Sequence, residues 1–230
     1  MPRDSADALL PEDILAAYAL GYFPMARTRE SRDVVWVLPK LRGALPLDQA
    51  TAPKKLLRLA RKEPYEIRVN TAFAEVIEAC AAPGPGREDT WINDQIIEAY
   101  NELHYLDRAH SVECWADGAL VGGLYGIEIG GVFCGESMFS RADNASKIAM
   151  LHLIARLTIG GFQLLDAQFY TDHLAQFGVA EMADDAYQER LKTLAAAKAD
   201  FFAIDDYSSA TGASNASVTA SVWQSITQTS

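Results

Sequence analysis

Residues 111–159 constrain this chain more than any other stretch. Ser111–Trp115 and Ala119–Glu128 flank Asp117-Gly118, the strongest short hairpin signal in the sequence, and Gly130-Gly131 turns the chain into Val132–Cys134. Ala145–Ile159 is then apolar on more than one face, which predicts a helix buried on several sides. Helices and mostly antiparallel strands are interleaved, so the class expected is α+β.

The flanking segments fit that frame. Pro11–Leu20 reads as a short helix ended by Gly21, and Val34–Leu38 as a strand closed by Pro39. A strand at Tyr65–Asn70 precedes an amphipathic helix over Thr71–Ala82, with Phe73, Val76, Ile77 and Cys80 on one side. PGPGRED at 83–89 is a loop, and Asn93 caps a helix whose Ile96, Ile97, Tyr100, Leu103 and His104 face the core. Phe162–Phe169 reads as a central strand and Ala186–Lys198 as a closing helix. Residues 201–230 turn Ser/Thr/Ala-rich and are expected to form a flexible tail, with Trp223 and Ile226 as its largest apolar groups.

Composition excludes several function classes. No apolar run reaches the roughly 18 residues a membrane span needs, and the opening lacks the basic and apolar regions of a secretory signal. Cys80, Cys114 and Cys134 show no CxxC spacing, which reads as reduced thiols in the cytoplasm. The four histidines show no ligand spacing, so no metal is expected. A net charge of −11 argues against broad nucleic-acid binding. Lys54, Lys55, Arg58, Arg61 and Lys62 are the local exception: four of them share a helix face, either a solvated surface or a strip that meets phosphates.

The chemistry is bounded first by what is missing. There is no P-loop, no GxGxxG after a strand and no GxSxG elbow, so no bound cofactor is expected. An enzyme with none of these needs a substrate that arrives activated, such as an aminoacyl ester, and mainly has to position two reactants. Glu136, in Cys134-Gly-Glu-Ser-Met-Phe-Ser140, follows an apolar strand, where it either stabilises a turn or meets an amine. Asp143 or Asn144 caps the buried helix, and with Ser146 and Lys147 they mark either an ordinary cap or an anion site. Asp166 and Gln168 lie two apart on a predicted strand and so share a face, either as a buried pair joining strands or as working groups.

Set in order, LLPEDILAAYALGYFPM, VVWVLPKLRGALPLD, REDTWINDQIIEAYNELH, LVGGLYG, FCGESMFSRADNASK, LLDAQF and HLAQFGVAEM resemble the leucyl/phenylalanyl-tRNA–protein transferase family over about residues 9–198. The resemblance implies a small N-terminal domain at 1–40 and an acetyltransferase-like (GNAT-like) domain at 41–200. It implies transfer of Leu or Phe, or Met, from the 3′ end of an aminoacyl-tRNA to proteins beginning with Arg or Lys, marking them for degradation. It makes Asp166 and Gln168 the catalytic pair and Glu136 a holder of the acceptor. Tyr18, Met25, Trp91, Tyr100, Leu124, Phe133 and Met138 would shape the side-chain and adenosine pocket, with Ser140, Asn144, Ser146 and Lys147 at the tRNA end. The strip from Lys54 to Lys62 would meet tRNA phosphates.

The chain departs from the family at Ala167, usually Cys or Thr, whose side chain is expected to point away from the pair. It also departs at Met25, often Trp, and at Met182-Ala-Asp-Asp185, where an Ile-Pro-Arg string is common. A monomer is expected. The rivals are an acyl-CoA-dependent N-acyltransferase, whose pyrophosphate loop is missing, and a noncatalytic module binding protein N-termini or tRNA ends.

Overall fold

The computed structural model describes residues 9–84 and 89–229; residues 85–88, within the loop expected at 83–89, lie outside it. In chain order the elements are α1 (Pro11–Ala19), β1 (Phe23–Ala26), β2 (Val34–Val37), β3 (Leu41–Pro46), α2 (Lys54–Ala60), β4 (Glu66–Val69), α3 (Phe73–Ala81), α4 (Asp94–Tyr105), β5 (Ala109–Ala116), β6 (Ala119–Ile129), β7 (Val132–Ser140), α5 (Ala145–Ile159), β8 (Leu164–Asp166), α6 (Asp172–Ala175), β9 (Ala180–Ala183), α7 (Asp184–Leu194), α8 (Ala203–Thr211) and α9 (Asn215–Thr229). Seven strands form one mixed sheet in the order β4-β5-β6-β7-β8-β3-β9, and β1 pairs with β2 as a separate ribbon.

The Asp117-Gly118 hairpin forms as its turn chemistry predicts, with Asp117 and Gly118 both at positive φ (50° and 75°). All pairings in the large sheet are antiparallel except β7 with β8, where α5 is the crossover. Because successive residues face opposite sides, β6 sends Leu124 to one core and Tyr125 to the other. The first core holds α1, α3, α4 and α7 against the sheet. The second holds α2, α5 and α9, and α5 buries twelve of its fifteen residues there. Ile14, Tyr18, Phe23 and Ala26, from the first strand and helix, enter the first core with the sheet residues.

Asn93 caps α4 as expected, accepting from the Ile96 amide at 2.9 Å. At α3 the cap comes from elsewhere: the buried Glu113 of β5 accepts from the Thr71 and Ala72 amides, each at 2.9 Å. Three expectations change. The strand expected over Phe162–Phe169 stops at Asp166, and Val132–Cys134 extends to Ser140, so Glu136 lies inside a strand rather than after it. The segment read as a flexible tail carries α8 and α9. Trp223 is buried on α5 and donates from its indole to the Leu151 carbonyl at 3.0 Å, while Arg156 of α5 grips Asp205 at 2.6 Å. A few large apolar groups spaced along a helix suffice to anchor a Ser/Thr-rich segment.

Candidate active site

Glu136 owes its place to a β-bulge. Tyr125 pairs with Ser137 and Gly126 with Gly135, so Glu136 is the extra residue on β7, and a bulge re-aims such a side chain. Gly126 is required there, since a Cβ would sit 2.3 Å from the Cys134 carbonyl oxygen. The Glu136 carboxyl accepts from the Gln168 amide at 3.1 Å, and the hydroxyls of Tyr18 and Tyr100, hydrogen-bonded to each other at 2.5 Å, favour its charged form. Loss of solvent pushes it up to about 8; the two tyrosines and Arg42 pull it back, and the nearby Asp166 adds to the rise. The side chain is partly open toward the adjoining cavity but enclosed by protein on its other sides.

Asp166 is fully buried at the end of β8 and its acceptor sites are filled. Oδ1 accepts from Arg42 Nε and the Gln168 backbone amide, both at 2.9 Å; Oδ2 accepts from Arg42 Nη2 at 2.8 Å and the Tyr187 hydroxyl at 2.7 Å. Arg42, on β3, is itself 1% exposed; it donates to the Gly21 carbonyl at 2.9 Å and stacks on Phe23 and Tyr187. Burial alone would lower the Arg42 pKa, but the Asp166 carboxylate outweighs it and raises it. Arg42 and Tyr187 are the partners of Asp166 that the sequence reading missed. Arginine in Val-Leu-Pro-Lys-Leu-Arg looks like ordinary surface charge, and only the β3–β8 pairing carries it to Asp166.

The strand ends because the chain turns sharply at Gln168, with φ 56° and the Phe169 amide donating to the Ala167 carbonyl at 2.6 Å. Such a positive-φ γ-turn is uncommon and strained. It is pinned by Gly43, whose amide donates to the Gln168 carbonyl (3.0 Å) and whose carbonyl accepts from the Ala167 amide (2.8 Å). A Cβ on Gly43 would lie 2.3 Å from the Phe169 carbonyl carbon. Strand alternation therefore does not relate Asp166 to Gln168. Asp166 lies behind the site and holds the Gln168 backbone, while the Gln168 amide faces the cavity. Ala167, expected to point away, lines the same cavity.

That cavity measures about 350 Å³ and has two characters. On the α5 side its wall is apolar: Leu124, Met138, Met150, Leu153 and Leu165. Glu136, Gln168 and His173 supply polar groups, and Phe23, Met25, Trp91, Tyr125 and Phe169 complete the wall. His173 is held below the usual histidine range by burial and by Lys147 nearby.

The candidate residues divide accordingly. Met25, Trp91, Leu124, Met138, Glu136 and Gln168 line the cavity. Tyr18 and Tyr100 do not; they lie fully buried, bonded to each other, and favour the charged form of Glu136. Phe133 does not line it either, because its place on β7 turns it into the second core, where it stacks on Phe201. Ser140 Oγ donates to the Ala142 carbonyl at 2.8 Å and accepts from the Ser146 amide, shaping the turn into α5. Asn144 occupies the cap position in a left-handed conformation and its side chain does not cap the helix. Lys147 is half-buried in the first turn of α5. Lys54, Lys55, Arg58, Arg61 and Lys62 are exposed on or just after α2, and none lines the cavity or forms an ion pair among the described residues. Among the described residues no group of three or more His, Cys, Asp or Glu could hold a metal ion, and no helix is long and apolar enough to cross a membrane.

The family model described as leucyl/phenylalanyl-tRNA protein transferase matches residues 44–192, and the model of that family's N-terminal domain matches residues 7–40. The leucyl/phenylalanyl-tRNA–protein transferase of Phenylobacterium zucineum is 54% identical over 192 residues, covering 84% of this chain and 87% of that protein. The protein of the same name from Caulobacter vibrioides is 52% identical over 198 residues, covering 86% of this chain and 91% of its own length. Among solved structures, L-PGS from Bacillus licheniformis has a TM-score of 0.35 at 14% identity, covering 79% of this chain and 62% of that one. α8 and α9 lie beyond the stretch matched by the family models.

Proposed function

The chain belongs to the leucyl/phenylalanyl-tRNA protein transferase family, and on that premise we propose that it moves Leu, Phe or Met from aminoacyl-tRNA to the α-amino group of proteins beginning with Arg or Lys. One observation carries the reading: a single cavity joins an apolar chamber to the Gln168–Glu136 pair. The chamber takes the aminoacyl side chain. A polar side chain there would lose its water without finding partners, which selects against it.

The reaction needs no cofactor. The acceptor nitrogen attacks the ester carbon, a C–N bond forms, and the ester C–O bond breaks as the ribose oxygen leaves with a proton. With its four acceptor sites occupied, Asp166 is a positioning residue that holds the Gln168 backbone. Gln168 meets the reacting carbonyl or amine. Glu136, held at about 8, matches an α-amino group whose ordinary pKa is about 7.7–8.0, so a proton passes between them with little cost. Ser140 and Ser146 shape, and Asn144 and Lys147 receive, the tRNA end. The α2 strip meets its phosphates.

The same reading places residues 41–200 in an acetyltransferase-like domain after a small one at 1–40. It makes the protein a cytoplasmic monomer whose products are marked for degradation. The test is transfer of radiolabelled leucine from leucyl-tRNA to a peptide beginning with Arg, with Gln168→Ala and Asp166→Asn beside the wild type. Transfer by the wild type that drops at least about a hundredfold in both supports the activity and the site. Acyl transfer from acyl-CoA instead, or tight binding without turnover, would replace it with the corresponding rival.

A further inference from the structure

β7 outruns its parallel partner. β8 pairs with it at Val132, Phe133 and Cys134 and ends at Asp166, while β7 continues to Ser140. Past Cys134 that edge of β7 has no strand beside it among the described residues, and Gly135, Glu136, Ser137 and Met138 line the cavity instead. Antiparallel alternation says which main-chain groups face the gap. The Arg141 amide donates to the Val121 carbonyl at 2.7 Å, so Phe139 and Gly123, two residues further in, also bond to each other, and the Met138–Leu124 pair between Phe139 and Ser137 does not. The other side of β6 agrees. The Glu128 amide donates to the Arg108 carbonyl at 3.1 Å, and the same alternation gives Leu124's bonds to Val112 of β5. The Met138 N–H and C=O therefore point away from β6, into the gap that β8 leaves. Its side chain shares a face with Leu124, in the apolar chamber.

We propose that the aminoacyl group docks on Met138 as a one-residue strand, the Met138 N–H donating to the ester carbonyl oxygen and the Met138 C=O accepting from the aminoacyl α-ammonium. This rests on the reading of the cavity as the seat of the aminoacyl group. Two residues that exchange both bonds in this way lie directly opposite and send their side chains to one face. An L-aminoacyl side chain is thus delivered to the face of Met138 and Leu124, which is the chamber; a D-aminoacyl side chain is sent to the other face. An acyl group without the α-nitrogen leaves the Met138 carbonyl unpaired. Because only main-chain groups are used, the docking is the same for Leu, Phe and Met, and the chamber alone judges the side chain.

The test is calorimetric titration with stable amides of 3′-amino-3′-deoxyadenosine carrying L-leucyl, D-leucyl or deamino-leucyl groups. This comparison needs only the wild-type protein. The expected result is that the D-leucyl and deamino-leucyl compounds each bind at least about tenfold more weakly than the L-leucyl compound. A second arm replaces Met138 by its α-hydroxy acid, which turns the backbone amide into an ester and removes the N–H while keeping the side chain. The Kd of the L-leucyl compound should rise about tenfold there, with the KM for a peptide beginning with Arg within about twofold of wild type. Equal binding of either altered compound overturns the inference and leaves the functional reading intact, as does an unchanged Kd in the ester variant. No binding of the L-leucyl compound to the wild type sinks the functional reading and this one with it.

Discussion

Glu136 keeps its proton to a higher pH in the fold than in the unfolded chain, about 8 against an ordinary 4.5, so its burial acts on stability as well as on chemistry. The sign follows from proton binding. Both states are protonated below about pH 4.5; above it the unfolded chain releases its proton first, and the folded state loses ground until the pH passes about 8. Wild-type stability should therefore fall between about pH 5 and pH 8 by more than that of Glu136→Gln, measured as urea midpoints across the range. Parallel curves for the two proteins would refute the buried-carboxyl account. At the same scale, Gln168→Ala should cut the transfer rate far more than it lowers stability, because its amide faces the cavity while its backbone is held by Asp166 and Gly43.

Among the elements, the site depends on two departures from regular sheet: the bulge at Glu136 and the γ-turn at Gln168. Neither has a reliable signature in the residues. Alternation along LLDAQF predicts that Asp166 and Gln168 share a face, whereas the strand ends between them and the turn reassigns both. Gly43 tests this directly. Gly43→Ala puts a Cβ into the Phe169 backbone and must push the turn outward. A displacement near an ångström suffices to lower turnover about a hundredfold, read as kcat at saturating substrates with the fold checked by circular dichroism. Undiminished kcat would mean that the turn's position does not matter.

For the whole molecule, α9 is a clamp on α5, the helix whose N-terminal turn carries Ser146 and Lys147. Trp223→Ala removes a buried indole and its bond to Leu151, and should cost about 3–5 kcal/mol in urea unfolding while the KM for leucyl-tRNA is unchanged. A loss below about 1 kcal/mol would mean that the C-terminal helices dock weakly. Long-range charge is the second property of this scale. The chain is acidic overall, so attraction to tRNA has to come from a local strip. Replacing Lys54, Arg58 and Arg61 by Ala should weaken leucyl-tRNA binding and reduce the log–log salt slope by about two to three. An unchanged slope would move the phosphate contacts elsewhere.

Turn chemistry and periodicity in the sequence determined the Asp117-Gly118 hairpin, the all-round apolar α5, the Asn93 cap and the amphipathic α3, because each depends on residues near one another in the chain. The family motifs picked out Glu136, Asp166 and Gln168 in the same way, as short strings. Only the tertiary structure decided what each meets. Arg42 and Asp166 are 124 positions apart, and Tyr18 and Tyr100 are 82 apart. Which acceptor a buried donor meets depends on strand order and register, and no local pattern encodes those. The same cause moved Phe133 out of the pocket, put Tyr125 into it, and turned a Ser/Thr-rich tail into two helices seated on the core.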